Sequence, residues 1–285
     1  MTKSQIDNVN IKVEEGQLYY YPGIKATQKL TAALITENHN YIYPIVDDII
    51  LLKKETAMTS MGRTRNPHAR VSDPMINEFF DTYKLLKKRK ISQPSLKEPK
   101  SKPLSNDQLA KLKGLLPKEG DCFMSEVTHD VGALHNLVYN SKFHLYLHLD
   151  FSVERLQAIK SDIKKGTMLV LCDNYNLPFI DDAIDSLFSF DYINEYEKES
   201  QKAAYKELKR IMKGEGVSVV LYDENRPHYA NTQLKVDKVS KKLLNFLSPW
   251  KKRKLPTIYF YPIRNKGKND KEEIYTETSL DSQFS

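Results

Sequence analysis

Two carboxylates stand at the ends of apolar runs twenty-three residues apart. Asp150 closes Leu147-His148-Leu149-Asp150, and Asp173 closes Val170-Leu171-Cys172-Asp173. An acid at a strand end can accept hydrogen bonds from the hydroxyls of a nucleoside ribose. A second acid nearby can take one from an exocyclic amine such as that of adenine. The same residue types also cap helices and close turns, so each is a weak signal alone and the matched pair is more specific. Histidines offer a second chemistry. His129, His135, His144 and His148 fall within twenty residues, and His129 and His135 could act as bases. The four span different elements without a helical i, i+4 pair, so no metal is expected. His144 and His148 read as packed or hydrogen-bonded strand residues.

The elements that must position these side chains follow from Asp121 onward. Strands are expected at Cys122 to Val127, Phe143 to Leu149, Met168 to Cys172, Ile184 to Phe190, Val217 to Tyr222 and Thr257 to Ile263. Helical segments are expected at Leu134 to Tyr139, Val153 to Ile163, Lys198 to Met212 and Leu234 to Leu247. Short apolar strands alternating with helices predict a doubly wound α/β fold with a mostly parallel sheet, in which ligands bind at the carboxyl ends of the strands.

Upstream, residues 1–60 hold short β-like runs at 17–21, 32–35, 41–45 and 49–52, with turns at Pro22-Gly23 and Glu37-Asn38-His39-Asn40. They predict a small β module leaning on the rest. Residues 61–120 carry a helix opening at Asp73-Pro74 with Ile76, Phe79, Phe80, Tyr83 and Leu86 at helical spacing. A second helix, capped by Ser105 or Asn106, runs through Leu109, Leu112 and Leu115 and stops at Pro117. The main domain then spans 121–265, and 266–285 reads as a polar tail.

Composition narrows the classes. The 285 residues are 40% hydrophobic and 28% charged, enough for a packed core. Only ten are glycine, so few positions let backbone crowd a ligand. The 44 Lys+Arg against 37 Asp+Glu give +7, and Lys84 to Lys118 alone holds eleven basic residues and two acids. Prolines at 94, 99 and 103 make this run a solvated linker first and a nucleic-acid contact second. Two cysteines, Cys122 and Cys172, exclude a disulfide scaffold and a Cys-rich zinc module. No leader and no membrane span is read. The expectation is a soluble, cytoplasmic protein.

Residues Leu147 to Glu224 resemble the class I S-adenosylmethionine-dependent methyltransferases of the type 11 group. Asp150-Phe151-Ser152 with Arg155-Leu156 resembles the family's second-strand signature. Asp173-Asn174-Tyr175-Asn176-Leu177-Pro178-Phe179 with Asp182-Ala183-Ile184-Asp185 is similar to its Asp-Ala-x-x-Leu-Pro-Phe and Phe-Asp segment. Leu208 to Gly216 is similar to its turn before the fifth strand. The resemblance implies a seven-stranded sheet and S-adenosylmethionine as cofactor, with Glu126, Thr128, Gly132, Asp150, Phe151, Asp173, Asn174 and Phe190 at the cofactor. Asp191, Tyr192 and Asn194 would face cofactor or substrate. The family's Glu/Asp-x-Gly-x-Gly-x-Gly loop is here Glu126-Val127-Thr128-His129-Asp130-Val131-Gly132. Thr128 and Asp130 replace two glycines, which disfavours a left-handed turn and sets a carboxylate near the cofactor's own. No universal catalytic residue is implied, because methyl transfer needs mainly alignment.

Asn40-Tyr41-Ile42-Tyr43-Pro44-Ile45-Val46-Asp47-Asp48-Ile49-Ile50-Leu51-Leu52 resembles the end of the zinc-ribbon module that precedes such methyltransferases or activates them in trans. The cysteine pairs are absent and Asp48 stands where glycine is usual. Packing of Tyr19, Tyr41, Tyr43, Ile45 and Leu51 must replace the metal. Three functions remain: a methyltransferase acting on a small molecule, an inactive binding or regulatory protein on that fold with a protein partner, and an RNA- or protein-directed methyltransferase.

Overall fold

In the computed structural model of the chain the described residues are 12–13, 16–22, 30–59, 77–81, 83–84, 104–127, 134, 137–138, 140–173, 176–190, 198–223, 257–263 and 275–277. The first strands are β1 (Lys12–Val13), β2 (Gly16–Pro22), β3 (Leu30–Thr36), β4 (Tyr41–Val46), β5 (Ile49–Leu51) and β6 (Met58–Thr59). Helix α1 (Asn106–Leu115) follows, then β7 (Glu119–Val127), β8 (Lys142–Asp150), α2 (Val153–Ile159) and β9 (Met168–Leu171). The chain continues through β10 (Ile184–Phe190), α3 (Lys198–Ile211), β11 (Met212–Asp223), β12 (Thr257–Ile263) and β13 (Tyr275–Glu277). Asp73-Pro74 and the segment from Leu234 to Leu247 lie outside the described residues, although 77–81 and 83–84 are helical as the spacing predicts.

All these strands join one sheet in the order β1-β2-β3-β4-β5-β9-β8-β7-β10-β11-β12-β13, with β6 on β4. Every pairing from β5 across to β12 is parallel. β9 reads Met-Leu-Val-Leu and is buried throughout, as a parallel strand covered on both faces must be. The seven-strand expectation is corrected by this order. β7 to β13 supply seven strands, but the sheet holds thirteen because β5 pairs with β9 and carries the N-terminal strands with it. Tertiary pairing across 120 residues leaves no local pattern, so the count was beyond a reading of strand periodicity.

Apolar residues face both ways from the sheet. On one face Met124, Leu147, Val170, Ile50, Ile45 and Tyr43 pack with Tyr205, Leu208 and Ile211 of α3. On the other, Phe123, Phe188 and Leu221 meet Leu112 of α1 and Leu134, Leu137 and Val138, while Leu169, Leu171, Ile49 and Leu51 meet Val153, Leu156, Phe79 and Tyr83. Helices on both faces make the fold doubly wound α/β. Tyr43 and Ile45 are buried on one face with Tyr41 packed against their cluster, and Leu51 is buried on the other, whereas the side chain of Tyr19 lies outside the described residues. No group of three or more potential metal ligands occurs among the described residues. The β4–β5 hairpin turns on Asp47 and Asp48 at φ 51° and 62°, the left-handed pair a two-residue turn requires and glycine would fill without strain.

Candidate functional site

The strand order reverses between β7 and β10, so the carboxyl ends of β9, β8, β7 and β10 define a switch-point edge. Glu126 is the penultimate residue of β7, Asp150 the last of β8, and Phe190 the last of β10; Phe151 and Asp173 follow β8 and β9. The fold therefore gathers five of the eight expected site residues at one edge. Thr128, Gly132 and Asn174 lie outside the described residues, as do His129, Asp130, His135, Asp191, Tyr192 and Asn194.

Asp150 is fully buried, and its two oxygens differ. Oδ1 accepts from the Ser152 amide at 2.7 Å and from Arg155 Nε and Nη2 at 3.1 and 2.9 Å. Ser152 in turn caps α2, its hydroxyl accepting from the Arg155 amide at 3.4 Å. The turn-forming use of such an acid is thus real here, but it engages Oδ1 alone. Oδ2 is buried without a hydrogen-bond partner. Burial raises the carboxyl above its usual range, against the pull of the Arg155 guanidinium. A donor hydroxyl at Oδ2 would relieve an unsatisfied buried acceptor.

Asp173 is engaged from outside its own half of the fold. Lys53, two residues past β5, pairs with Asp173 Oδ1 at 3.0 Å. The β5–β9 pairing puts it there, extended by the Leu52 amide donating to Leu171 at 2.8 Å. Phe151 lies between the two acid–cation pairs. Arg155 sits 4.4 Å from its ring centroid and Lys53 5.9 Å, both within cation–π range.

Glu126 is fully buried, and burial pushes its carboxyl up to about 8, with Ser189 on β10 opposing and Asp150 reinforcing the rise. It is therefore protonated at neutral pH and can donate as well as accept. On the opposite face of the sheet, His148 Nδ1 lies 2.9 Å from Ser125 Oγ, which itself donates to the Leu147 carbonyl at 3.1 Å. Burial pushes the imidazole down to about 3. His148 is the packed strand residue expected of it; His144 is exposed, 3.6 Å from Asp121. Phe190 is fully buried in the apolar core against Phe188, a wall rather than a polar contact.

Arg155 and Lys53 are the residues that sequence reasoning missed. Arg155 was visible only as part of a motif, and its grip on Asp150 depends on a side-chain path no spacing rule gives. Lys53 had no signal at all, being distant in sequence and assigned to another module.

Residues 130–220, about a third of the chain, match the type 11 family model described as a methyltransferase domain. No curated protein matches the chain. Among solved structures, a chain of the complex between the Haloferax volcanii Trm112 methyltransferase activator and a candidate methyltransferase is 25% identical, covering 38% of this chain and 47% of that one, TM-score 0.33. A candidate S-adenosylmethionine-dependent methyltransferase of Methanococcus maripaludis is 22% identical, with 48% and 61% covered and TM-score 0.34. A candidate methyltransferase of Bacillus halodurans is 16% identical, with 39% and 48% covered and TM-score 0.33. The chain spans less than two thirds of each. No helix among the described residues is long and apolar enough to cross a membrane.

Proposed function

We propose that this chain, whose residues 130–220 match a methyltransferase domain, binds S-adenosylmethionine at the carboxyl edge of β8 and β9 and transfers its methyl group to a small molecule. That family match is the observation that carries the reading. The buried, unpartnered Oδ2 of Asp150 supports it, because a ribose hydroxyl is a donor of the kind that atom lacks. Asp150 would hold the ribose and Asp173 the amine of the base, each with its cation fixing the carboxylate in place. Glu126, neutral at physiological pH, would offer a hydrogen bond without adding charge beside the cofactor. The cofactor supplies an electrophilic methyl on a sulfonium; the chain's part is to align an acceptor with it and exclude water.

Isothermal titration tests the reading. S-adenosylmethionine and S-adenosylhomocysteine should each give saturable heat, and Asp150→Ala should abolish it. A flat titration of the unaltered protein at millimolar ligand would refute it. Thr128 and Asp130 in the glycine-poor loop favour a second reading, a methyltransferase fold that binds without catalysis. Cofactor binding with no methyl transfer to any acceptor would select it.

A further inference from the structure

A free carboxylate offers two oxygens, and a ribose presents two adjacent hydroxyls, so an unencumbered acid at a strand end can read both at once. Asp150 is not unencumbered. Three donors converge on its Oδ1: the Ser152 amide at 2.7 Å, Arg155 Nε at 3.1 Å and Arg155 Nη2 at 2.9 Å. Arg155 is itself seated, its guanidinium 4.4 Å from the Phe151 ring centroid and its side chain only 19% exposed. The Ser152 amide is fixed by the turn into α2, whose cap Ser152 also supplies. Opening Oδ1 to a ligand would break charge-assisted contacts to a buried carboxylate in exchange for one hydroxyl. Oδ2, equally buried, accepts no hydrogen bond that a ligand hydroxyl would have to displace.

We propose that Arg155 is a specificity-determining positioning residue that confines Asp150 to a single acceptor oxygen, so that the site reads one ribose hydroxyl of its nucleoside ligand and is indifferent to the other. This rests on the nucleoside-binding reading above. A cofactor or inhibitor lacking the unread hydroxyl, or carrying a small substituent there, is accepted as well as the parent.

The experiment titrates the full-length protein with S-adenosylhomocysteine and with its 2′-deoxy and 3′-deoxy forms. One deoxy form should bind within about twofold of the parent, and the other should bind about tenfold or more weakly, the scale of one hydrogen bond to a charged group. In Arg155→Met, which removes two of the three donors and leaves Oδ1 only the Ser152 amide, Oδ1 can take a ligand hydroxyl, and the tolerated analogue should become disfavoured relative to the parent by about tenfold. A merely structural role for Arg155 would weaken all three ligands alike and leave their ratios unmoved. Equal losses for both deoxy forms in the unaltered protein, or no loss for either, would overturn the proposal while leaving nucleoside binding intact. Absence of binding by the parent ligand would overturn the nucleoside reading, and this proposal with it. If Arg155→Met does not fold, the analogue pair on the unaltered protein decides the matter alone.

Discussion

Glu126 and His148 are both fully buried, and burial moves them in opposite directions. Glu126 titrates near 8 in the folded chain against an ordinary 4.5. Between those values the folded state holds a proton that the unfolded state has released, so stability is full below 4.5 and falls as pH rises toward 8. His148 titrates near 3 against an ordinary 6.5. There the unfolded state holds the extra proton, so stability is full above 6.5 and falls as pH drops toward 3. Asp150, raised by burial, adds a decline of the first kind. Urea midpoints should pass through a shallow maximum between the two limbs. Glu126→Gln should flatten the alkaline limb and His148→Asn the acid limb; an unchanged alkaline limb in Glu126→Gln would contradict the assignment. At this scale the sequence exposed what is local. Asp150 and Asp173 were legible because each ends an apolar run, whereas the grip of Arg155 on Asp150 depends on a rotamer, and Lys53 meets Asp173 only through a distant strand pairing.

Among the elements, β7 begins under a tight constraint. A Cβ on Gly120 would come within 2.8 Å of the Phe143 ring and 3.2 Å of Asp185 Cβ. Asp185 cannot easily retreat, since its carboxylate accepts the amides of Asp121 and Cys122 at 3.0 and 2.8 Å and pairs with Lys213 at 2.8 Å. Gly120→Ala should therefore cost about 1–3 kcal/mol, read as a lower urea midpoint at unchanged slope; an unaffected midpoint would show that the ring moves aside. The bounds of β10 and β12 agree with the apolar runs that predict them. α2 stops at Ile159 instead of Ile163 because the chain tightens, with the Lys160 amide reaching Gln157 and the Asp162 amide reaching Ile159. Ile163 still packs on the core, so the apolar period outlasts the helix. β11 starts five residues early, at Met212, which pairs with Ile184 ahead of a register shift. Its Gly214 and Gly216 read as a turn, yet Gly216 serves close packing, where a Cβ would lie 3.0 Å from the Lys213 carbonyl and 3.1 Å from that of Asp185.

For the molecule as a whole, the alternation of strands and helices made the α/β class legible, while the junction of its two halves was not. β5 covers the edge of β9 in register Ile49↔Leu169, Ile50↔Val170 and Leu51↔Leu171. Removing residues 1–60 would bare that edge and the apolar side chains beside it, an open template for pairing with other chains. The truncated protein should elute from a sizing column as dimer or aggregate; a soluble monomer would show that the β9 edge tolerates water. The same register sets a delay in biosynthesis. Ile49 is made 120 residues before its partner Leu169, so at translation speeds of about 5–20 residues per second the nascent N-terminal strands wait on the order of ten seconds with an unpaired rim.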